Sequence, residues 1–215
     1  MPYFLYIPST RENSTEPIPM IIWLHGGDEY YCKEELMKKR GLPAALEKWG
    51  DLEKFDAYIL CPQWTGRWSK IAGWHNETIR AGLDLVIADV LSKNYVDTNK
   101  IIISGHSMGG RGAICNALHN KNEFEYYKVA TVSGFLDKID MPYVRDLDIR
   151  FYTGMPATGE YTGIYSYNTK TMVELFGEEG LFVIEGSHGN SPVPAFLLDE
   201  DGNNRSDLIE WMLSD

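Results

Sequence analysis

Positive charge is what this sequence is short of. Lys and Arg total 20 against 31 Asp and Glu, a formal net charge of −11. No basic run offsets that deficit, and such a field repels phosphates, so nucleic acid is a poor expected partner. Cysteine is scarce as well. Cys32, Cys61 and Cys115 stand far apart, without CxxC or Cys/His ligand spacing. Neither a metal site nor a disulfide framework is expected from that pattern, and the odd count fits a reducing compartment. Long apolar runs are missing too. Stretches such as Met20 to Leu24 fall far short of the roughly 20 residues a membrane-spanning helix needs. The start, MPYFLYIP, lacks a basic segment followed by an apolar one. No signal peptide is expected from it, and the cytoplasm is the expected location.

What remains has ordinary globular make-up. Of 215 residues, 44% are hydrophobic and 24% charged, close to the usual averages. A chain of this length can bury about 70% of the surface its unfolded form exposes. No repeat, low-complexity tract or domain boundary interrupts it, so residues 1–215 read as one domain.

Short apolar runs alternate with longer amphipathic ones. The strand candidates are Tyr3–Ile7, Met20–His25, Ala57–Cys61, Ile101–Ser104, Val129–Ser133, Ile149–Tyr152 and Leu181–Glu185. Helix candidates lie at Lys33–Lys39 with Pro43–Trp49, Glu77–Lys93, Met108–His119, Thr169–Phe176 and Ser206–Leu213. In Glu77–Lys93 the residues Ile79, Leu83, Val86, Ile87, Val90 and Leu91 form one apolar face. Ser9–Pro19, Tyr143–Ile149 and Met155–Tyr167 read as loops. The alternation predicts a mostly parallel sheet of about seven strands with helices on both faces.

The chemistry-bearing stretch is Lys100–Gly112, KIIISGHSMGGRG, with the GxSxG match Gly105-His106-Ser107-Met108-Gly109. Alone the match is weak, since about one chain in ten of this composition would carry it by chance. Here it follows an apolar β-branched run and precedes a helical pattern, the setting in which a nucleophilic serine sits on a strained strand-to-helix turn. Ser107 then stands at a helix N-terminus, where backbone N–H groups favour negative charge. Upstream, an apolar strand ends in His25-Gly26-Gly27. An oxyanion hole needs two N–H donors. Met108 is expected to supply one and Gly27, in preference to Gly26, the other, with His25 orienting the loop. A general base should come late in the chain. His188, directly after the last strand candidate, fills that role better than His75, His106 or His119.

At Ser107 and His188 the chain resembles the α/β-hydrolase superfamily, most of all its compact feruloyl and acetyl esterase-like and phospholipase/carboxylesterase-like members. The likeness runs over nearly the whole chain: His-Gly-Gly with Gly41-Leu42-Pro43-Ala44-Ala45, Cys61-Pro62-Gln63, Val96-Asp97, Ser107-Met108-Gly109-Gly110 and Ser133-Gly134. It implies a three-layer sandwich without a cap domain and a Ser-His-acid triad that cleaves carboxylic esters through an acyl-enzyme, with no cofactor.

The acid departs from the family pattern. Where HGxxD is usual, this chain reads Thr153-Gly154-Met155-Pro156-Ala157, with Ala157 at the expected aspartate. A lengthened loop would let Glu160 supply the carboxylate. Asp137 and Asp140, after an earlier strand, stay open as rivals. The aromatic residues Tyr30, Tyr31, Trp64, Trp68, Trp74, Tyr161, Tyr165 and Tyr167 are candidate substrate walls, and their faces suit sugars or phenolic acyl groups. The expected substrate is thus a small-molecule or carbohydrate ester. Two alternatives stand beside it: a serine peptidase or thioesterase on the same scaffold, and a non-catalytic binding protein of hydrolase fold.

Overall fold

Seven strands form one sheet in the computed structural model of the chain. The structure describes residues 1–11, 14–29, 41–44, 56–66, 69, 72–120, 122, 124–135, 141–144, 146–155, 173–174, 177, 181–185 and 208–215. The strands are β1 (Tyr3–Tyr6), β2 (Ile18–Leu24), β3 (Tyr58–Pro62), β4 (Val96–His106), β5 (Lys128–Val132), β6 (Ile149–Met155) and β7 (Leu181–Glu185). Their order across the sheet is β1-β3-β2-β4-β5-β6-β7. β1 runs antiparallel to β3, and every other neighbouring pair is parallel.

The parallel order leaves both faces to be covered, and the strand sequences are apolar on both sides. Because side chains alternate, β2 sends Met20, Ile22 and Leu24 to one face and Ile21 and Trp23 to the other. The first face packs against helix α1 (Glu77–Lys93) and helix α2 (Met108–Leu118). α1 contributes Leu83, Val86, Ile87 and Val90, all buried, as its apolar spacing predicts. Asn76 starts this helix, its Oδ1 accepting from the N–H of Thr78 at 3.0 Å. The second face is covered by Leu42 and by α4 (Leu208–Leu213) through Leu208, Ile209 and Met212. Lys128, in β5, caps the end of α4. Its ammonium donates to the carbonyl oxygens of Trp211 at 2.7 Å and Ser214 at 2.8 Å.

Among the described residues, four elements differ from expectation by more than one residue, the first being β2, which begins at Ile18 inside the expected loop Ser9–Pro19. β4 begins at Val96, before Ile101, because Val96 pairs with Ile18 across a register shift in β2. Its polar front residues Asp97–Lys100 sit outside the core and hide the strand from an apolar pattern. β6 runs on to Met155, beyond Tyr152. The expected loop at Tyr143–Ile149 begins inside one helical turn, α3 (Met141–Val144), which buries Val144 completely. Among the described residues no helix is long and apolar enough to cross a membrane.

Candidate active site

β4 carries the chain from the core to the sheet's C-terminal edge, and the next residue reverses it. Ser107 has φ 53° and ψ −112°. A side-chain-bearing residue rarely adopts that left-handed backbone, at a cost of about 1–3 kcal/mol. The turn is held from both sides. The Ser107 N–H donates to the carbonyl of Val132 in β5 at 2.9 Å, and the Ser107 carbonyl accepts the first helical bond of α2 from Arg111 at 3.0 Å. Reversal within one residue brings Gly105 and Gly109 together. A Cβ on Gly105 would lie 2.5 Å from the Gly109 carbonyl carbon, and one on Gly109 would lie 1.9 Å from the Leu24 oxygen. Both glycines of the GxSxG match are therefore demanded by backbone contact. Ser107 itself stays half-buried.

That contact with Leu24 brings the end of β2 against the turn. Beyond it, His25-Gly26 leads into a single 3₁₀ turn, Gly27–Glu29. His25 is buried. Its Nδ1 lies 2.8 Å from the Gly26 oxygen and its Nε2 3.0 Å from the Trp64 oxygen. Burial pulls its pKa below the ordinary histidine value, so the ring is neutral and carries one N–H. On Nδ1 that proton is donated to the Gly26 carbonyl and on Nε2 to that of Trp64, and Gln63 Nε2 stands 3.3 Å from His25 Nε2. His25 thus ties the loop after β2 to the end of β3, the orienting part expected of it.

Gly26 and Gly27 differ in a way the sequence does not disclose. The Gly26 N–H donates to Glu29 Oε1 at 3.1 Å. No backbone carbonyl among the described residues accepts from the N–H of Gly27 or of Met108. Gly27 is half-exposed, whereas Gly26 is buried. His106 turns away from the serine and packs under the loop, its Nδ1 beside the Cα of Gly26.

Of the expected aromatic walls, Trp64 is half-buried at the end of β3, its ring edge-on to Trp74 with centroids 6.3 Å apart. Trp74 is no wall. It is fully buried in the core, it meets Gly112 of α2, and its indole N–H donates to the His25 carbonyl at 3.0 Å. A tryptophan in a turn-rich stretch carries no periodicity to mark it as core. Two residues of this scaffold, Glu29 and Gln63, have no role assigned from sequence. An acid in a glycine-rich loop looks like any solvated carboxylate. Tyr30, Tyr31, Trp68, Asp137, Asp140, Glu160, Tyr161, Tyr165, Tyr167 and His188 lie outside the described residues.

A family model described as "Putative esterase" matches residues 63–185. The chain belongs to this esterase family. The matched range holds Ser107 and the turn around it. No curated protein matches the chain. Solved structures of esterases resemble it over almost its whole length. An S-formylglutathione hydrolase from Staphylococcus aureus does so with a TM-score of 0.64 at 14% identity, over 99% of this chain and 92% of that one. A thermostable esterase gives 0.62 at 18% identity over 99% of this chain, which spans 56% of that esterase's length. A ferulic acid esterase gives 0.56 at 16% identity, over 86% of this chain and 84% of that one. At these identities the likeness establishes the fold, which is that of the α/β-hydrolases.

Proposed function

We propose that this esterase-family chain is a serine hydrolase that cleaves carboxylic esters through an acyl-enzyme on Ser107. The observation that carries the reading is the left-handed serine at the β4–α2 turn, with the end of β2 packed against that turn; the N–H groups of Met108 and Gly27 are the proposed oxyanion donors. His188 is the general base and Glu160 the acid that orients it. The sheet order supports this pair. β6 and β7 are bonded neighbours, with Met155 opposite Glu185, so adjacent strands end five residues before Glu160 and three before His188. Asp137 and Asp140 follow β5, one strand further from β7.

In the reaction His188 takes the Ser107 hydroxyl proton as Oγ attacks the ester carbonyl carbon. The carbonyl electron pair moves to oxygen, where the two backbone N–H groups hold it. Collapse breaks the ester C–O bond, and His188 protonates the departing alkoxide. Water then gives a proton to His188 and attacks the acyl carbon; collapse frees the acid and restores Ser107.

The substrate class that fits best is a short-acyl, carbohydrate-linked or phenolic ester. The half-buried Trp64 ring and the fold shared with a ferulic acid esterase support it. A thioester is the second reading, favoured by the fold shared with an S-formylglutathione hydrolase, since the same apparatus serves both. The test is hydrolysis of p-nitrophenyl acetate by the wild type and by Ser107→Ala. A loss of at least about a thousandfold is expected in the variant. No wild-type turnover above that control, across short oxygen esters and thioesters, overturns the reading.

A further inference from the structure

We propose that Glu29 is the positioning residue of the oxyanion site: it sets the two peptides before Gly27 so that the Gly27 N–H alone remains for the substrate oxygen. The inference rests on the reading of Ser107 as nucleophile.

Two consecutive peptides carry the argument, and each has one carbonyl and one N–H. In the peptide joining His25 to Gly26, the carbonyl accepts from the Trp74 indole at 3.0 Å and the N–H donates to Glu29 Oε1 at 3.1 Å. In the peptide joining Gly26 to Gly27, the carbonyl accepts from the backbone N–H of Glu29 at 3.2 Å and lies 2.8 Å from His25 Nδ1. Peptides are planar and trans, so a carbonyl fixed in direction aims its own N–H the opposite way. Three of the four polar groups are thus engaged inside the protein, and the direction of the fourth, Gly27 N–H, is dictated by the other three.

Glu29 touches both peptides, one through its carboxylate and one through its main chain. It is itself pinned by its carbonyl, which accepts from Gln63 Nε2 at 3.1 Å. The side chain is almost completely buried, at 3% exposure. Carboxylates are seldom buried to that extent unless bonded. A Cβ on Gly26 would lie 2.8 Å from His106 Nδ1 and 3.1 Å from Glu29 Oε1, so imidazole and carboxylate crowd the same side of this glycine. Removing the carboxylate takes away the acceptor of the Gly26 N–H and leaves that peptide free to rotate. Rotation is the motion that moves an oxyanion donor off its target.

The carboxylate acts here as an acceptor of stated reach. An amide oxygen at the same position serves equally, while a side chain shorter by one methylene falls about 1.5 Å short. Glu29→Gln, Glu29→Asp and Glu29→Ala therefore separate reach from charge. Each is assayed for kcat and KM on p-nitrophenyl acetate, for melting temperature, and for the rate of fluorophosphonate labelling at Ser107. Misplacing one donor is expected to lower kcat about 10- to 100-fold in Glu29→Ala and Glu29→Asp, with KM within threefold. Glu29→Gln is expected to keep kcat within threefold of the wild type. Folded Glu29→Ala with wild-type kcat overturns the inference, as does a loss confined to KM. Should Glu29→Ala not fold, the Gln and Asp variants decide: equal kcat in the two overturns it. A wild type that neither hydrolyses esters nor labels at Ser107 defeats the nucleophile reading itself. Wild-type labelling with an unchanged rate in Glu29→Ala defeats the positioning role alone.

Discussion

Gly109 rests against the carbonyl of Leu24 so closely that a Cβ on it would stand 1.9 Å from that oxygen. The obstacle is backbone, in a buried strand end, and neither side can yield without breaking the turn at Ser107. Gly109→Ala is therefore expected to lose folding or at least about a hundredfold in activity. Gly82, in the middle of α1, offers the contrast, since a Cβ there meets only the Met1 side chain at 3.6 Å. Gly82→Ala should stabilise the protein by about 0.5–1 kcal/mol. Urea unfolding and ester hydrolysis of the two variants check both.

Burial of neutral His25 makes stability depend on pH. Its folded-state pKa lies below the unfolded value because desolvation disfavours the charged ring. Below the unfolded pKa of about 6.5 the unfolded chain binds the proton first, so stability falls as pH drops from there toward the folded pKa. The contribution is fully present above about pH 6.5. Wild-type melting temperature should therefore decline more steeply from pH 7 to 5 than that of His25→Asn. Parallel declines would contradict the neutral buried ring.

Lys128 is the buried counterpart of an ordinary surface lysine. It donates to three oxygens at the end of α4, those of Trp211 and Ser214, at 2.7 to 2.9 Å. Lys128→Met leaves those carbonyls without the donor and should cost about 2–3 kcal/mol. Lys93 pairs with Asp89 on the exposed side of α1, and Lys93→Met should change stability by less than about 1 kcal/mol. Equilibrium unfolding of the two variants measures the difference.

The acid of the triad is separable by substitution. Glu160→Gln should lower kcat for p-nitrophenyl acetate by about 10⁴-fold, whereas Asp137→Asn and Asp140→Asn should stay within threefold. A large loss at Asp137 or Asp140 with Glu160→Gln active reassigns the carboxylate.

Much of this architecture was legible because local and global signals agree. α1 runs over Glu77–Lys93 as expected, since one apolar stripe and an Asn76 cap point to the same element. The turn at Ser107 was legible because its glycines answer to backbone contacts rather than to distant side chains. β4 reads short because Asp97–Lys100 lie between the paired residues Val96 and Ile101 and bring no apolar side chain into the core. Trp74 was misjudged for the opposite reason: its core position depends on α2 and the end of β2, which meet it only in three dimensions. Glu29 could not be recognised at all. Nothing in His-Gly-Gly-Asp-Glu distinguishes a carboxylate that turns back on a peptide from one that faces water.

The most direct test of the nucleophile is covalent. The wild-type protein, treated with a fluorophosphonate probe and examined by intact mass and peptide mapping, should gain one adduct, on Ser107, while ester hydrolysis stops in proportion. Ser107→Ala, folded by its melting curve, should gain none. An active wild type that stays unlabelled, or an adduct of equal yield on the Ser107→Ala variant, would contradict the assignment of Ser107.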